Sequence, residues 1–481
     1  MAEHIFREYD IRGLYGVDLT DKVAEYIGRA YAVYVREAGL LKDPITVSIA
    51  RDVRLSSDPL RDALIRGLRE SGINCVDVGI CPTPLQYFSM QTLDVNGGFM
   101  ITGSHNPPEY NGFKISIGKE TIHGVEIQKL GAILKQIIKH PPEKAAKMGS
   151  LSTAEVIPSY VEHISGLFKI PALDREIKLV LDSGNGTAGP VAVPLVRDGL
   201  GCDVNDIHSQ PDGRFPNHHP DPTVPANLYD LIHTVKANKA DFGIAYDGDA
   251  DRIGVVDELG NIIWGDKLMV IFARAILETT PGATVVGEVK CSQVLYDEIE
   301  KAGGKAVMWK TGHSLIKARM KELGAAMAGE MSGHIFFADR YFGFDDAIYA
   351  SCRLVEILAK KRTTDPTATF SGLLAGVPDT LVTPEMRIEC GDEKKFKVID
   401  RLAQVLENST PKEAELKLTN VITIDGLRMN FEGGWALVRA SNTQPVLVMR
   451  FEATDEELLK KAKAFVKARL NEVDPGLDVP F

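Results

Sequence analysis

A local pattern of strand, polar or glycine-rich turn, helix and strand occurs three times and constrains the fold more than any other feature of the sequence. The first copy has β-branched strands at 45–50 and 73–79, separated by a helix-periodic stretch at 58–70. The second copy begins with the strand 178–182, and the third begins with the strand 283–289. Strand, helix and strand in this order form the βαβ unit, which predicts parallel sheets covered by helices. Three such units at wide spacing predict three α/β domains of related build.

The strand 178–182 of the second copy is followed by two further segments. A helix is expected from Ala188 to Leu200, followed by a strand near 202–207. The next residues, 208–222, are rich in proline, histidine and aspartate, and they are expected to form a long ordered loop. His218 and His219 in this loop are adjacent, which is poor spacing for two ligands of one metal ion.

Composition marks the joints between domains. The segment 140–153 is polar, contains proline and lacks an apolar period, which indicates a boundary near residue 152. Further boundaries are expected near Glu258 and within 360–372. Beyond them, short strands and an amphipathic helix at 454–473 predict an α+β domain. The expected domains are 1–152, 153–258, 259–370 and 371–481.

The bulk properties exclude several classes of protein. A hydrophobic fraction of 44% with 25% charged residues is typical of a globular chain, and a net charge of −11 argues against a nucleic-acid partner. No apolar run is long enough to span a bilayer, and the first residues lack the apolar core of a signal peptide. The six cysteines lack metal-binding spacing and are expected to be buried free thiols. These features predict a cytoplasmic protein with no membrane partner, either a monomer or a small homo-oligomer.

An acidic loop gives the strongest local signal. In AYDGDADRIGVVDE (245–258), Asp247, Asp249 and Asp251 alternate with small residues, so their oxygens can converge on a hard cation. An isolated acidic turn is more often simply solvated. A calcium EF-hand does not fit, because Arg252 stands where that loop needs glycine and the flanks resemble strands. Magnesium fits best, since it takes a few carboxylates and leaves room for a phosphate oxygen.

A second signal is MITGSHNPPEYNGFK (100–114). An apolar strand ends in a tight turn that would present Ser104 at the carboxyl end of the strand, where α/β sheets bind ligands. By itself the turn has an ordinary composition. His105 is not expected to pair with Ser104, because the side chains of adjacent residues tend to point apart. Lys114 and the acidic loop raise the likelihood of a functional role for Ser104.

Two segments have the composition of ligand-binding loops. In AGEMSGHIFF (328–337), Glu330, Ser332 and His334 could bond adjacent sugar hydroxyls, although a plain turn with an incidental glutamate is an even alternative. RASNTQP (439–445) combines a guanidinium with hydroxyl and amide groups, which is suited to a phosphate dianion, or to a surface turn. The residues of this second segment that could hold the phosphate are Arg439, Ser441, Asn442 and Thr443.

Together FREYDIRG, TGSHNP, DGDADR, GEMSGH and RASNT resemble, in order and spacing, the α-D-phosphohexomutase family, in its phosphomannomutase/phosphoglucomutase branch. The resemblance covers effectively the whole chain. It implies three mixed α/β domains and a last domain resembling the TATA-binding-protein fold, around a central cleft. It also implies that Ser104 carries the phosphoryl group and that the three aspartates bind magnesium with a phosphoserine oxygen. It places near the reacting or bound groups Arg12, Lys114, Arg252, Lys290, His313, Glu330, Ser332, Arg439, Ser441, Asn442 and Thr443.

The resemblance implies an isomerase that interconverts hexose 1-phosphate and hexose 6-phosphate, with mannose or glucose as the sugar. A 1,6-bisphosphosugar would be the intermediate and the activator, with one Mg²⁺ per chain. Lys114 or His105 would handle the hydroxyl proton, and the sequence leaves both open. A phosphoglucosamine mutase is an alternative, but Met331 stands where that branch has glutamine. A magnesium-dependent phosphatase and a non-catalytic phosphosugar-binding protein are more distant alternatives.

Overall fold

The structure is a computed structural model that describes residues 3–408, 416–442 and 444–481. The chain divides into two compact units. The first comprises Met1–Ala275 and Ser332–Ala375, and the second comprises Ile276–Met331 and Gly376–Phe481. The predicted domain boundaries at 152, 258 and 370 stay predictions. Among the described residues, no helix has both the length and the apolar character needed to cross a bilayer.

The first sheet of the first unit has a parallel centre and antiparallel strands on one side. Its strands are Ile11–Leu14, Thr46–Arg51, Asn74–Ile80, Gly97–Ile101, Tyr110–Ile117, Glu120–Thr121 and Leu151–Thr153. Its α-helices are Asp21–Glu37, Ser57–Glu70, Thr83–Thr92 and Val125–Lys139, and a 3-10 turn spans Glu3–Ile5. The predicted βαβ unit with its helix at 58–70 is confirmed. The buried residues of the helices Asp21–Glu37, Ser57–Glu70 and Val125–Lys139 pack with those of the strands into one apolar core, as expected for helices that cover a parallel sheet.

The second sheet of the first unit contains three parallel strands followed by two antiparallel ones. The strands are Lys178–Asp182, Asp203–Ile207, Phe242–Tyr246, Ile253–Asp257 and Ile262–Ile263. The helices are Ile157–Leu167, Gly189–Pro194 and Tyr229–Asn238, with a 3-10 turn at Pro225–Leu228. The prediction of one helix from Ala188 to Leu200 is wrong in its second half, where the helix continues as a π-helical turn, Leu195–Gly199. Pro194 lies at this change and lacks the N–H that a regular helix requires.

The first unit also includes the segment Ser332–Ala375. It contains the strand Ile335–Phe337, the helix Ala347–Thr364 and the 3-10 turn Ser371–Leu374, and the first segment of the unit ends within the helix Gly265–Thr279. The helix Ala347–Thr364 begins after Asp346, whose carboxylate accepts a hydrogen bond of 2.8 Å from the Tyr349 N–H. This N-cap satisfies one of the free N–H donors in the first turn of the helix.

The second unit contains a parallel and an antiparallel sheet. The parallel strands Thr284–Glu288, Lys305–Trp309 and Met327–Gly329 alternate with the helices Gln293–Lys301 and His313–Leu323. The antiparallel strands are Leu381–Val382, Met386–Glu389, Leu418–Ile422, Leu427–Phe431, Gly434–Ala440 and Val446–Ala453. The helices Asp392–Asn408 and Glu456–Val473 pack against this sheet around an apolar core. The predicted α/β class with a last α+β domain is therefore confirmed.

All six cysteines, Cys75, Cys81, Cys202, Cys291, Cys352 and Cys390, are buried and free, as the sequence predicts. Burial raises the pKa of the Cys81 thiol to about 12, so that this side chain is a neutral apolar group in the core.

Candidate active site

Ser104 lies in a tight turn directly beyond the strand Gly97–Ile101 and is 3% exposed. Its φ of 49° is in the left-handed region, which costs a residue with a side chain roughly 1–2 kcal/mol. The Ser104 Oγ lies 2.9 Å from Asp247 Oδ2 and 3.1 Å from His105 Nδ1. The turn therefore holds the hydroxyl against the acidic loop, at the carboxyl end of the strand.

The contact between Ser104 and His105 contradicts the sequence-based expectation that their side chains point apart. That expectation assumes extended or helical backbone, whereas the left-handed φ of Ser104 lets both side chains lie on one side of the turn. Burial, together with the positive charges of Arg252 and Arg12, holds the pKa of His105 well below its usual value.

Arg54 contacts the serine turn through several hydrogen bonds and was not identified from the sequence. Its guanidinium is buried, forms an ion pair of 3.0 Å with Asp52, and donates hydrogen bonds to backbone carbonyl oxygens of the serine turn. These acceptors are the carbonyl oxygens of Ser104, Asn106, Pro107 and Tyr110. Asp52 also accepts hydrogen bonds from the Thr102 hydroxyl at 2.9 Å and the Gly103 N–H at 3.1 Å.

The position of Asp52 follows from strand register. Arg51 pairs with Ile101 in adjacent parallel strands, so Asp52 and Thr102 leave the sheet at the same edge. Asp52 and Arg54 directly follow a predicted strand, and this position could have identified them as candidate site residues, because parallel strands bring their carboxyl ends together. Arg12, a predicted site residue, supports the same turn by donating to Gly103 O at 2.7 Å.

Asp247, Asp249 and Asp251 follow the strand Phe242–Tyr246 and are all fully buried. One oxygen from each lies within 4.8 Å of the others, in an arrangement that could hold a metal ion. Ala250 has a φ of 56°, in the left-handed region, which makes the loop a tight turn. The loop connects two strands, Phe242–Tyr246 and Ile253–Asp257, and not the two helices of an EF-hand. Burial and the like charges of Asp251 and Asp249 raise the pKa of Asp247 well above its usual value.

The acidic loop fits a cation. Asp249 Oδ1 is buried and lacks a hydrogen-bond partner among the described residues, so it has a lone pair to offer. The other oxygen of Asp249 accepts from the Thr83 hydroxyl at 2.5 Å and lies 3.1 Å from Lys114 Nζ. Lys114 also contacts Asp251, and although burial opposes its charge, these two carboxylates raise its pKa well above the usual value. Three clustered carboxylates with one ammonium retain net negative charge, which a divalent cation would neutralise.

The acidic loop and the serine turn approach each other through backbone. A Cβ on Gly248 would lie 2.6 Å from Ser104 O, which no side chain tolerates, so the second residue of DGDADR must be glycine. Thr83, which the sequence analysis did not identify, also donates its N–H to Asp249 O at 2.8 Å. Two contacts from one threonine fix both the backbone and the carboxylate of Asp249.

His334 lies against the acidic loop. Its Nε2 is 3.3 Å from Asp251 Oδ1, and it accepts a hydrogen bond of 3.2 Å from Arg252 Nε. Ser332 Oγ is 3.4 Å from His334 Nδ1. The structure therefore brings Arg252, Ser332 and His334 to the acidic loop, together with Asp345, which sequence reasoning missed.

The remaining predicted residues lie in the second unit. Glu330 accepts the Gly312 N–H at 2.7 Å, and the adjacent Thr311 N–H donates to Asp425 Oδ2 at 3.1 Å. Asp425 in turn pairs with Arg439 at 3.0 Å. The loop at 311–312 thus connects Glu330 to Arg439. His313 is buried in the first turn of the next helix.

Lys290 is paired with acids in the same unit. Its Nζ lies 3.3 Å from a Glu385 oxygen and 3.6 Å from Glu288, and Glu288 accepts the Met331 N–H at 3.2 Å. Lys290 lowers the pKa of Glu385 to about 2. Glu288, Glu385 and Asp425 were not identified from the sequence. Each contacts at least one residue that is distant in sequence, respectively Met331, Lys290 and Thr311.

In the predicted phosphate loop, Ser441 and Asn442 lie between two antiparallel strands. The Ser441 N–H donates to Val446 O at 3.0 Å, and its Oγ accepts the Gln444 N–H at 3.2 Å. Thr443 lies outside the described residues, and its predicted role stays a prediction.

Models of one protein family match the chain in four consecutive segments. They are described as the phosphoglucomutase/phosphomannomutase α/β/α domains I, II and III, at residues 3–139, 158–260 and 264–374, and the C-terminal domain at residues 385–469. The matches occur in the family's order and cover most of the sequence.

Whole-length relatives agree with these matches. A phosphomannomutase/phosphoglucomutase of Pseudomonas aeruginosa is 44% identical over 477 residues, covering 99% of this chain and 97% of that protein. A phosphoglucomutase of Neisseria gonorrhoeae is 44% identical over 481 residues, covering 100% and 99%. The crystal structure of a phosphoglucomutase/phosphomannomutase family protein from Burkholderia thailandensis superposes with a TM-score of 0.89 at 43% identity, covering 100% of both chains.

Proposed function

The chain belongs to the phosphoglucomutase/phosphomannomutase family, and from this membership we propose how its residues act. It is an enzyme of the isomerase class, a hexose-phosphate mutase that interconverts hexose 1-phosphates and hexose 6-phosphates. Our proposal concerns the residues: Ser104 is the phosphoryl carrier, and glucose or mannose is the sugar. The observation that carries it is the distance of 2.9 Å between Ser104 Oγ and Asp247 Oδ2, which joins a hydroxyl to a cation-binding loop.

The proposed metal ligands are Asp247, Asp249 and Asp251, with an oxygen of phosphorylated Ser104. All three carboxylates are buried and close together, and small oxygen-only sites of this kind suit Mg²⁺. When bound, one such ion per chain neutralises charge on the transferring phosphoryl group. Lys114 and Arg252 are proposed to supply fixed positive charge beside the same phosphoryl group, in keeping with their contacts to the acidic loop and to His334.

The reaction begins with phosphorylated Ser104 and a hexose monophosphate. The free sugar hydroxyl attacks phosphorus and loses its proton, while the bond between phosphorus and Ser104 Oγ breaks and the serine oxygen takes up a proton. The product is a 1,6-bisphosphosugar, which reorients and returns its other phosphoryl group to Ser104. The bases left open by the sequence were Lys114 and His105. We favour His105 as the base that takes the serine proton when Ser104 attacks the bisphosphosugar, because its Nδ1 is 3.1 Å from Ser104 Oγ whereas Lys114 is paired with two carboxylates.

The parts of the sugar phosphate that do not react are proposed to bind two other segments. Glu330, in the second unit, and Ser332, in the first, would bond the sugar hydroxyls, and His334 Nδ1 lies 3.4 Å from Ser332 Oγ. The non-reacting phosphate would bind the loop that begins at Arg439, with Lys290 and His313 nearby in the same unit. The phosphate-binding groups are Arg439, Ser441, Asn442 and Thr443. Arginine with backbone and hydroxyl donors binds a phosphate dianion well.

A coupled assay tests the proposal. The purified enzyme is given glucose 1-phosphate, Mg²⁺ and a trace of glucose 1,6-bisphosphate, and glucose 6-phosphate is measured. Ser104→Ala should lower kcat by at least about a thousandfold, because the phosphoryl acceptor is absent. Ser152→Ala, at an exposed serine, is the matched control and should keep full activity. Turnover by Ser104→Ala at more than a tenth of the normal rate would reject Ser104 as the carrier, while release of inorganic phosphate would indicate a phosphatase.

A further inference from the structure

A cluster of metal-ligating side chains lies outside the proposed active site, at the edge of the second sheet. Asp182 is the last residue of the strand Lys178–Asp182, and His208 directly follows the neighbouring strand Asp203–Ile207. The two strands are parallel, with Asp182 opposite Ile207, so both side chains leave the sheet at its carboxyl edge. This is the edge at which ligands of α/β sheets bind.

The third member of the cluster is His218, in the loop 208–222, which we call the histidine loop. Its Nε2 lies 3.0 and 3.2 Å from the two carboxylate oxygens of Asp182. One ligand atom each of Asp182, His208 and His218 lies within 4.8 Å of the others. Tetrahedral zinc with bonds near 2.0 Å places its ligand atoms about 3.3 Å apart, so small side-chain movements would complete the set.

A further carboxylate contacts the cluster at His208. Asp230, in the first turn of the helix Tyr229–Asn238, has a carboxylate oxygen 3.0 Å from His208 Nε2. Asp182 is fully buried, whereas the side chains of His218 and His208 are 14% and 18% exposed. An ion can therefore enter from solvent and meet a buried carboxylate.

The hydrogen bonds of His218 indicate that positive charge belongs at this position. Its Nδ1 lies 3.0 Å from His219 O, and because a carbonyl oxygen only accepts, Nδ1 carries a hydrogen. In the neutral ring, Nε2 then has a lone pair that faces the Asp182 carboxylate. Either a second proton or a cation must lie between them. A histidine that donates Nδ1–H to a backbone carbonyl and turns Nε2 to a carboxylate-lined site has the arrangement typical of metal ligands.

We propose that Asp182, His208 and His218 form a second metal site that binds a borderline transition-metal ion of the Zn²⁺ type, with the Asp230 carboxylate beside it in contact with His208. Two imidazoles and one carboxylate favour such an ion over Mg²⁺, whereas the oxygen-only loop of Asp247, Asp249 and Asp251 favours Mg²⁺. The two sites are therefore chemically distinct. The sequence indicated that His218 and His219 are poorly spaced to bind one metal ion together. This agrees with the structure, in which His218 clusters with His208 and Asp182 instead of His219.

The site has a consequence for the proposed active site, because the histidine loop packs against both of its loops. A Cβ on Gly213 would lie 2.2 Å from Val53 O, and the Phe215 ring lies 5.3 Å from the guanidinium of Arg54. At the other end, a Cβ on Gly248 would lie 3.5 Å from Pro220. An ion that ties His218 to the sheet thus holds the loop that packs on the supports of Ser104 and on the metal loop.

Metal analysis tests the proposal. Enzyme stripped with a chelator is dialysed against micromolar Zn²⁺ in millimolar Mg²⁺, which occupies the oxygen-only site, and bound zinc is measured. Wild type should retain about one equivalent, and His208→Ala and His218→Ala should each weaken binding by at least about tenfold. His233→Ala, at an exposed histidine on the adjacent helix, is the matched control and should bind as wild type does.

Cobalt reports the geometry directly. Co²⁺ in place of Zn²⁺ should give the intense visible bands of a tetrahedral ion in wild type and in Asp247→Asn, but not in His218→Ala. Mutase activity of the two histidine variants in Mg²⁺ shows that they are folded, since neither residue lies in the proposed catalytic machinery. The proposal is overturned if wild type lacks these bands, in which case His218 is simply a protonated partner of Asp182. It is equally overturned if zinc binding is lost in Asp247→Asn and kept in His218→Ala.

Discussion

The serine–metal region of the first unit and the polar cluster of the second unit are built in different ways. In the first, three carboxylates come from one loop, and the serine turn is fixed by backbone contacts and by the carbonyl bonds of Arg54. In the second, the charged groups come from separate elements and are paired with one another, as in Lys290 with Glu385 and Arg439 with Asp425. The first region is therefore set for one geometry, whereas the phosphate binding that we propose for the second would exchange one ion pair for another. The first should control kcat, and the second should control KM.

The largest expected effect is loss of a carboxylate from the first region. Asp247→Asn should lower kcat by about a thousandfold, or ~4 kcal/mol, because charge on the transferring phosphoryl group is no longer neutralised. The coupled mutase assay over a magnesium titration measures it. Asp203→Asn, at an exposed carboxylate on a nearby strand, is the control. Activity of Asp247→Asn within threefold of wild type at any magnesium concentration would break the comparison.

Arg54→Lys tests whether fixed geometry controls kcat. A lysine cannot donate to four carbonyl oxygens at once, so Ser104 should be misplaced and kcat should fall by about a hundredfold with KM unchanged. Arg66→Lys, at a half-exposed arginine paired with Glu25, should have no effect on either parameter. A rise in KM as large as the fall in kcat would show that Arg54 acts on substrate binding instead.

Arg439→Lys tests the second region. Loss of a forked guanidinium should raise KM for glucose 1-phosphate by about tenfold, or ~1.4 kcal/mol, and leave kcat within about threefold. Steady-state kinetics at saturating Mg²⁺ separate the two parameters. Arg401→Lys, at an exposed arginine on the helix Asp392–Asn408, provides the control. A fall in kcat with KM unchanged would assign Arg439 to the chemical step and contradict the division.

The smallest effect concerns the partner of Lys290. Glu385→Gln should lower KM by about threefold, because Lys290 would no longer have to break its ion pair with Glu385 before it binds the substrate phosphate. The pKa of Glu385 is about 2, so this gain should be constant from pH 5 to pH 9. Because its pKa is lowered, ionised Glu385 stabilises the fold above the ordinary glutamate pKa, and this stabilisation is lost as pH falls from about 4.5 through 2. The free energy of unfolding of the variant should therefore decrease less with falling pH in that range. Urea titrations at pH 7 and pH 3 measure the difference, and a KM gain that appears only below pH 5 would contradict the ion-pair account.

The same contrast explains how much the sequence could predict. Ser104 and the three aspartates are local motifs at strand ends, so their residue types and spacing identify them without any tertiary information. Arg54, Thr83 and Asp425 act through partners that are 50, 166 and 14 residues away in sequence, and their roles depend on register and burial. The pairing of Ser104 with His105 depends on one left-handed φ, and the break at Pro194 depends on how the helix accommodates a missing N–H. The local motifs were therefore predictable from the sequence, whereas the residues that support and orient them were not.

The central claim is that Ser104 carries the phosphoryl group between two positions of the sugar. The direct measurement is to incubate the enzyme and Mg²⁺ with glucose 1,6-bisphosphate labelled in its phosphates, isolate the protein, map the label by peptide mass spectrometry, and then add unlabelled glucose 1-phosphate. We expect one labelled phosphate on Ser104, and its transfer to the hexose when the monophosphate is added. Label on another residue, or label on Ser104 that leaves only as inorganic phosphate, would contradict the account.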